Sequence, residues 1–219
     1  ESHILSLKRS KTEKKQVHGS IRNMSISEIL QHQNWVESRF KGYKVSIDFP
    51  KTMVVVDPYF VGLWLGDGKA DDLRIYNEDI EIINYLENYA SYISMNISVG
   101  DINRNCKSYC ITNNGKEHFI RREFSSLNLF RNKHIPDKYL YTDKKGRLEL
   151  LAGLIDSDGY NHQSSFEIVQ KNKKLAFQIK FLADSLGYGT RITKKIAKSQ
   201  LGTESVVWRL YISGNIDEI

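Results

Sequence analysis

Cysteine is nearly absent from the 219-residue sequence: Cys106 and Cys110, in CKSYC, are the only two. If that segment is a strand, as its alternation suggests, the two share a face about 13 Å apart, too far for a disulfide and too few for a zinc site. Both read as ordinary small strand residues. Long apolar runs are missing as well, none approaching the ~18 residues of a membrane span, and no charged-apolar-small leader opens the chain. The expectation is an intracellular protein, nuclear or cytoplasmic and not secreted, with no membrane partner. There is also no glycine-rich nucleotide loop and no nucleophile elbow, which argues against a metabolic enzyme.

The composition is that of an ordinary soluble protein, long enough for one large domain or two small ones. Lysine and arginine total 32 against 26 acidic residues, for a net charge of +6 and a pI near 9.1. A basic balance favours a polyanionic partner but does not by itself establish one.

An internal repeat is more informative. YFVGLWLGDGKA at 59–70 aligns without gaps on LLAGLIDSDGYN at 150–161 once Phe60 is set opposite Leu151, at a constant offset of 91 residues. Gly62 then matches Gly153, Gly66 matches Ser157, Asp67 matches Asp158 and Gly68 matches Gly159. Asp57 and Pro58 supply a cap and a first-position residue for the first helix. Gly62 and Gly66, like Gly153 and Ser157, lie four apart and leave each helix a strip almost without side chains. Two such strips can meet backbone to backbone, bringing the helix C-termini side by side. Asp67 and Asp158 then emerge together, each followed by a glycine that lets the chain turn away.

Paired carboxylates at helix C-termini repel one another and the helix dipoles unless a cation lies between them. A hard divalent ion, held by Asp67 and Asp158 and by the helix-end carbonyls of Gly66 and Ser157, relieves that repulsion. The bland alternative is that Asp-Gly merely ends a helix, but it has to hold twice. Asp156 has Leu65 as its counterpart, so a one-sided hydrogen bond or salt bridge suits it better than metal binding.

LLAGLIDSDG closely resembles the signature of the LAGLIDADG homing endonucleases, and FVGLWLGDG is similar to the first motif of their two-motif, single-chain members. The resemblance extends over roughly 57–219. It implies an α/β (α+β) fold of two pseudo-symmetric half-domains, αββαββα-like, packed through the motif helices and carrying saddle-shaped DNA-binding sheets. It also implies a monomer that cuts double-stranded DNA with magnesium, or manganese in its place, bound by Asp67 and Asp158 at the scissile phosphates. Intein-encoded members carry a lysine in a K-x-I-P segment, which NKHIPDKYL matches at Lys133. A cation there positions the attacking water or stabilises phosphate charge. The alternative is a solvated loop lysine in a basic neighbourhood with Arg131, Lys138, Lys144, Lys145 and Arg147. The corresponding second lysine falls at position 224, beyond Ile219, so the second half is expected to be incomplete.

Residues 1–50 differ in character and read as a partial splicing segment and linker, with the endonuclease at 51–219 divided into halves at about 57–140 and 141–219. ESHILSL resembles the intein strand that bears the histidine activating the N-terminal splice junction, which makes His3 that residue; a half-buried strand histidine is the other reading. Glu1 stands where a Cys or Ser nucleophile is needed and no His-Asn pair ends the chain, so splicing by this chain alone is not expected.

Each half reads as motif helix, strands and a second helix. In SVVWRLYIS, Val206, Trp208, Leu210 and Ile212 share a face toward the helices, leaving Arg209 and Tyr211 on the other. Arg191 and Lys195 share a face of the partner strand, and Arg74 and Tyr76 one in the first half. With Lys107 of the first-half hairpin, these are the expected DNA contacts, Arg reading guanine and Lys neutralising phosphate. The resulting expectation is an intein-derived, site-specific endonuclease acting on the uninterrupted host-gene site. A decayed DNA-binding module and an RNA maturase of the same fold are the alternatives.

Overall fold

The computed structural model describes residues 3–10, 19–100, 106–114, 118–162, 164–198 and 204–219. The chain forms two compact units, Glu1–Val45 and Ser46–Ile219. In the first, strands β1 (Ile4–Arg9) and β2 (Ile21–Ser25) are followed by helices α1 (Ile26–Gln31) and α2 (Gln33–Arg39) and a short β3 (Phe40–Lys41), giving an antiparallel sheet of order β2-β1-β3. The Ser25 hydroxyl caps α1 by accepting from the Glu28 amide at 3.1 Å. Leu7, Met24, Val36 and Phe40 are the buried core, with Ile29 and Trp35 packed against it. Most of the charged loop RSKTEKKQVHGS lies outside the described residues.

The second unit runs α3 (Pro58–Asp67), β4 (Ile75–Tyr76), α4 (Ile80–Tyr92), β5 (Asn96–Gly100), β6 (Ser108–Thr112), α5 (Phe119–Ser126) and α6 (Asp137–Leu140), then α7 (Lys144–Asp158), β7 (Gly159–Asn161), β8 (Ser165–Gln170), α8 (Lys173–Ser185), β9 (Gly189–Lys198) and β10 (Glu204–Ser213). The expected helices and strands are present. The loop of the first-half hairpin, residues 101–105, falls outside the described residues. β7 had no sequence signal, because three residues are too few to show a period.

The two antiparallel sheets have orders β4-β6-β5 and β7-β8-β10-β9, so β4, β6 and β5 correspond to β8, β10 and β9. The correspondence extends to single pairs: Gly68 bridges Ile75 as Gly159 pairs with Ile168. The loop after the second motif is therefore two residues longer, and equivalent strand positions are offset by 93 rather than 91.

Asp57 caps α3, accepting from the Tyr59 amide at 2.8 Å, with Pro58 in the first turn. Phe60, Val61, Leu63, Trp64 and Leu65 have almost no exposed surface. A helix apolar around its whole circumference must be covered on every side, and the first-half core and α7 provide the cover. The contact with α7 is backbone on backbone. A Cβ on Gly62 would overlap the Leu150 carbonyl oxygen and lie 2.9 Å from the Leu154 nitrogen; one on Gly153 would overlap the Tyr59 carbonyl oxygen and lie 2.9 Å from the Leu63 nitrogen.

Two expectations are corrected. Gly68 and Gly159 do not turn the chain through the left-handed region; their backbones are extended, at φ −72° and −85°. They are needed for space, since a Cβ would collide with the Trp64 or the Ile155 carbonyl oxygen of the preceding turn. Val206 is 44% exposed rather than packed toward the helices. Trp208 meets Phe177 at 5.3 Å and Lys173 at 5.3 Å, and since Lys173 begins α8, Val206 lies past the start of the covering helix. Cys110 is buried in β6, whereas Cys106 precedes the strand, and both are free thiols.

Residues 46–50, grouped by sequence character with the N-terminal segment, belong to the second unit. The Ile47 amide donates to the Ser185 carbonyl at 2.8 Å. Arg147 is fully buried, donating to the carbonyls of Thr142, Ser185 and Ile47 and to the Ser185 hydroxyl, with its guanidinium over the Phe49 ring. It is a structural tie for this segment and no part of a solvated basic loop.

Because the atoms facing Gly153 are backbone, an added methyl cannot be absorbed by a rotamer change. Gly153→Ala is expected to lower the unfolding free energy in urea by about 3 kcal/mol; a loss below about 1 kcal/mol would mean the helices are not locked at this crossing.

Candidate metal centre and nucleic-acid interface

The crossing of α3 and α7 continues to their C-termini, where a Cβ on Gly66 would overlap the Ser157 hydroxyl and come within 3.3 Å of the Asp158 carboxyl carbon. Asp67 and Asp158 therefore end the two helices side by side, each half-buried. Each carboxylate is held by a side-chain amide, from the end of β8 in the second half and from the residue just past β4, its counterpart, in the first. Asn77 Nδ2 donates to Asp67 Oδ2 at 2.9 Å, and Gln170 Nε2 donates to Asp158 Oδ2. Asn77 follows Ile75 by two residues and Gln170 follows Ile168 by two, so they are pseudo-symmetric partners. Sequence reading missed both; the signal was there in RIYN and EIVQ, but at the offset of 93 that a gapless alignment cannot show.

Lys133 sits with this pair. Its ammonium donates to the Gly66 carbonyl at 2.9 Å and lies 5.1 Å from the centre of the Trp64 ring. The Gly66 carbonyl, expected to face a metal, is thus already engaged by Lys133. The Ser157 hydroxyl turns back to donate to the Gly153 carbonyl at 2.7 Å. Asp156 makes the one-sided contact its unmatched position suggested, accepting from the Tyr59 hydroxyl at 2.6 Å.

Burial pushes Asp67 up to about 6, with the Asn77 hydrogen bond opposing, the Asp158 charge reinforcing and Lys133 opposing. Burial also raises Asp158, against Lys133 and Gln170. Burial lowers Lys133 to about 8, while the two carboxylates hold it up. Carboxylates that resist ionisation in this way suit a cation. Among the described residues no three His, Cys, Asp or Glu side chains cluster as metal ligands. Two carboxylates with the remaining oxygens from water or phosphate suit magnesium, calcium or manganese and not zinc.

The sheet face expected to meet DNA is assembled in register. Arg191 stands opposite Tyr211, which stands opposite Glu167, and Lys195 stands opposite Val207 on the same face. Arg209 shares the face, but its guanidinium is 2.8 Å from the Glu167 carboxylate and donates to the Tyr211 hydroxyl at 3.2 Å, so its charge is matched within the protein. In the first half Arg74 donates to the Ser108 hydroxyl at 3.2 Å and lies 3.9 Å from Asp72, while Tyr76 is exposed. Lys107 is exposed just before β6. In the N-terminal unit His3 is exposed ahead of β1, and its carbonyl accepts from the Ile26 amide at 3.0 Å. No helix among the described residues is long and apolar enough to cross a membrane.

The raised Asp67 fixes the sign of a stability effect. In the unfolded chain this carboxyl ionises near 3.9, so above about pH 6 the metal-free fold bears the full cost of its charge, and below about pH 4 none. Without metal, Asp67→Asn is expected to stabilise the protein at pH 7.5 by on the order of 1 kcal/mol after allowance for solvent screening. The gain fades as pH falls through 6; a destabilising substitution in thermal melts at pH 7.5 would contradict the electrostatics described.

Comparison with known proteins bears on the fold. Residues 145–217 match the LAGLIDADG-like domain family. Mesophilic variants of the homing endonuclease I-DmoI superpose with a TM-score of 0.53 at 14% identity, over 74% of this chain and 89% of theirs. I-DmoI in complex with DNA and manganese gives 0.51 at 16% identity, over 72% and 88%. The replicative DNA helicase DnaB of Mycobacterium intracellulare is 28% identical over 199 residues, 90% of this chain but 29% of the helicase. The chain thus spans less than a third of the length of that relative. Its fold is that of the LAGLIDADG homing endonucleases, and residues 145–217 of its second half match the LAGLIDADG-like domain family.

Proposed function

We propose that this protein is an intein-encoded, site-specific DNA endonuclease that makes a metal-dependent double-strand break at the uninterrupted host-gene site, acting inside the cell as a monomer through its internal pseudo-two-fold. The observation that carries the reading is the convergence of Asp67 and Asp158 at the ends of two helices locked backbone to backbone, with the Lys133 ammonium on the Gly66 carbonyl next to Asp67. The superposition on a homing endonuclease solved with DNA and manganese supports it.

Asp67 and Asp158 would hold magnesium, the first choice, or manganese. A divalent ion supplies Lewis-acid polarisation of the scissile phosphates. Asn77 and Gln170 each engage one oxygen of a carboxylate, which would orient the carboxylates toward the ion. Lys133 would place a partly buried positive charge beside the phosphate, where reduced dielectric magnifies its effect on developing negative charge. Arg191, Lys195, Tyr211, Tyr76 and Lys107 are offered to the duplex, while Arg74 and Arg209 must give up internal partners to reach it. The intein origin is supported by the helicase match. It covers 90% of this chain, so it extends into residues 1–45, yet it is a minor part of the helicase, as expected of an inserted element. His3, at the head of β1, is the proposed splice-activating histidine.

A plasmid carrying the rejoined flanks of the host gene is expected to be linearised in magnesium, and not by Asp67→Asn. Tight binding without cutting would instead identify a decayed nuclease, and preference for structured RNA a maturase. Lys133→Gln is expected to lower the single-turnover rate by roughly 10²–10³-fold with target affinity little changed. Wild-type rate is expected to fall above about pH 8, where Lys133 loses its proton, and below about pH 6, where Asp67 gains one; a Lys133→Gln enzyme that keeps the wild-type rate would remove the lysine from the reaction.

A further inference from the structure

The net charge of +6 is unevenly placed. Residues 1–45 contain nine Lys and Arg (positions 8, 9, 11, 14, 15, 22, 39, 41 and 44) against four Glu, a net of +5; residues 46–219 hold the remaining 23 against 22, a net of +1. The endonuclease unit, the part that has to meet a polyanion, is almost neutral. The positive charge belongs to the N-terminal unit.

The structure gives part of that charge a definite place. One face of the β2-β1-β3 sheet covers the Leu7, Met24, Val36 and Phe40 core. The opposite face presents Ile4, Ser6 and Lys8 from β1, Ile21, Asn23 and Ser25 from β2, and Lys41 from β3. Lys8 and Lys41 stand directly opposite each other. Like charges so placed destabilise a sheet. Both are exposed, and among the described residues neither has an ion pair and no Asp or Glu lies on the face. By contrast the two described acidic residues of the unit are engaged elsewhere, Glu28 by Arg22 at 2.8 Å and Glu37 by Gln33 at 2.8 Å. Ser6 donates to Asn23 at 2.7 Å, adding a neutral polar pair beside the lysines. A repulsive pair that no described carboxylate relieves is suited to an external anion.

We propose that this sheet face is a second, sequence-independent DNA-binding surface, in which Lys8 and Lys41 neutralise phosphates of the duplex. The inference rests on the endonuclease reading and deepens it: the motif-bearing unit reads and cuts, and the N-terminal unit supplies backbone affinity that its near-neutral partner lacks. Phosphate contacts of this kind act through counterion release and so leave sequence preference untouched.

The test uses the full chain, titrated by fluorescence anisotropy against the rejoined-flank duplex and a random duplex across roughly 50–200 mM potassium chloride. The double variant Lys8→Gln/Lys41→Gln is expected to reduce the slope of log affinity against log salt by about 1.8, at about 0.9 per phosphate. It should weaken both duplexes by the same factor and leave the cleavage rate at saturating enzyme unchanged, while Lys8→Arg/Lys41→Arg retains the parental slope. An unchanged melting temperature, or a raised one as the like-charge pair is removed, shows that the fold is intact. Parental slope and affinity in the Gln variant would overturn the proposal, as would weakening confined to the target duplex, or lost binding to anionic phospholipid vesicles with duplex binding intact. A parent chain that binds no duplex at all would defeat the endonuclease reading itself, which separates the two failures.

Discussion

The backbone contact between α3 and α7 is the constraint on which the second unit depends. Gly62 and Gly153 occupy the crossing, and each would drive a Cβ into a carbonyl oxygen of the other helix. Close approach at that point brings the last turns together, Gly66 against Ser157, and so decides where Asp67 and Asp158 stand. Helix C-termini are poor places for anions, and burial makes this one worse, as the raised Asp67 and Asp158 show. The fold holds the carboxylates there with Asn77, Gln170 and Lys133, leaving the pair suited to a hard cation.

The two halves share a plan but differ in detail. Gly66 faces Ser157, Tyr59 reaches across to Asp156, and the second sheet has an additional strand, β7. Lys133 reaches the Gly66 carbonyl, at the end of the first motif helix. On the sheet faces, Arg74 and Arg209 are matched internally while Arg191 and Lys195 share a register-defined face on the longer sheet. A pseudo-symmetric scaffold with unequal surfaces would suit an asymmetric ligand such as the proposed duplex.

Much of this was legible in the residues. The gapless repeat located both motif helices, the small-residue strip gave their contact, and the paired Asp-Gly ends gave the carboxylates. Alternation paired Arg191 with Lys195 on one strand and Arg209 with Tyr211 on the next, because β9 and β10 are long and regular; the register joins the two pairs on one face. What was not legible depends on distant partners. The cap on Gly66 by Lys133 spans 67 residues of chain. Asn77 and Gln170 were hidden by a two-residue change in loop length, and the Arg209–Glu167 pair by a strand neighbour that only the sheet order reveals. The glycines after each motif were rightly singled out for the wrong cause: they relieve crowding against Trp64 and Ile155 and adopt no positive φ.

The most direct test of the central claim, that the two helix-end carboxylates jointly hold a divalent ion against DNA, is manganese anomalous scattering from crystals of the protein with its target duplex. The account predicts a peak within bonding distance of a carboxylate oxygen from both Asp67 and Asp158 and of a backbone phosphate oxygen. A metal bound elsewhere, or DNA seated at the helix ends with no metal touching either carboxylate, would contradict it.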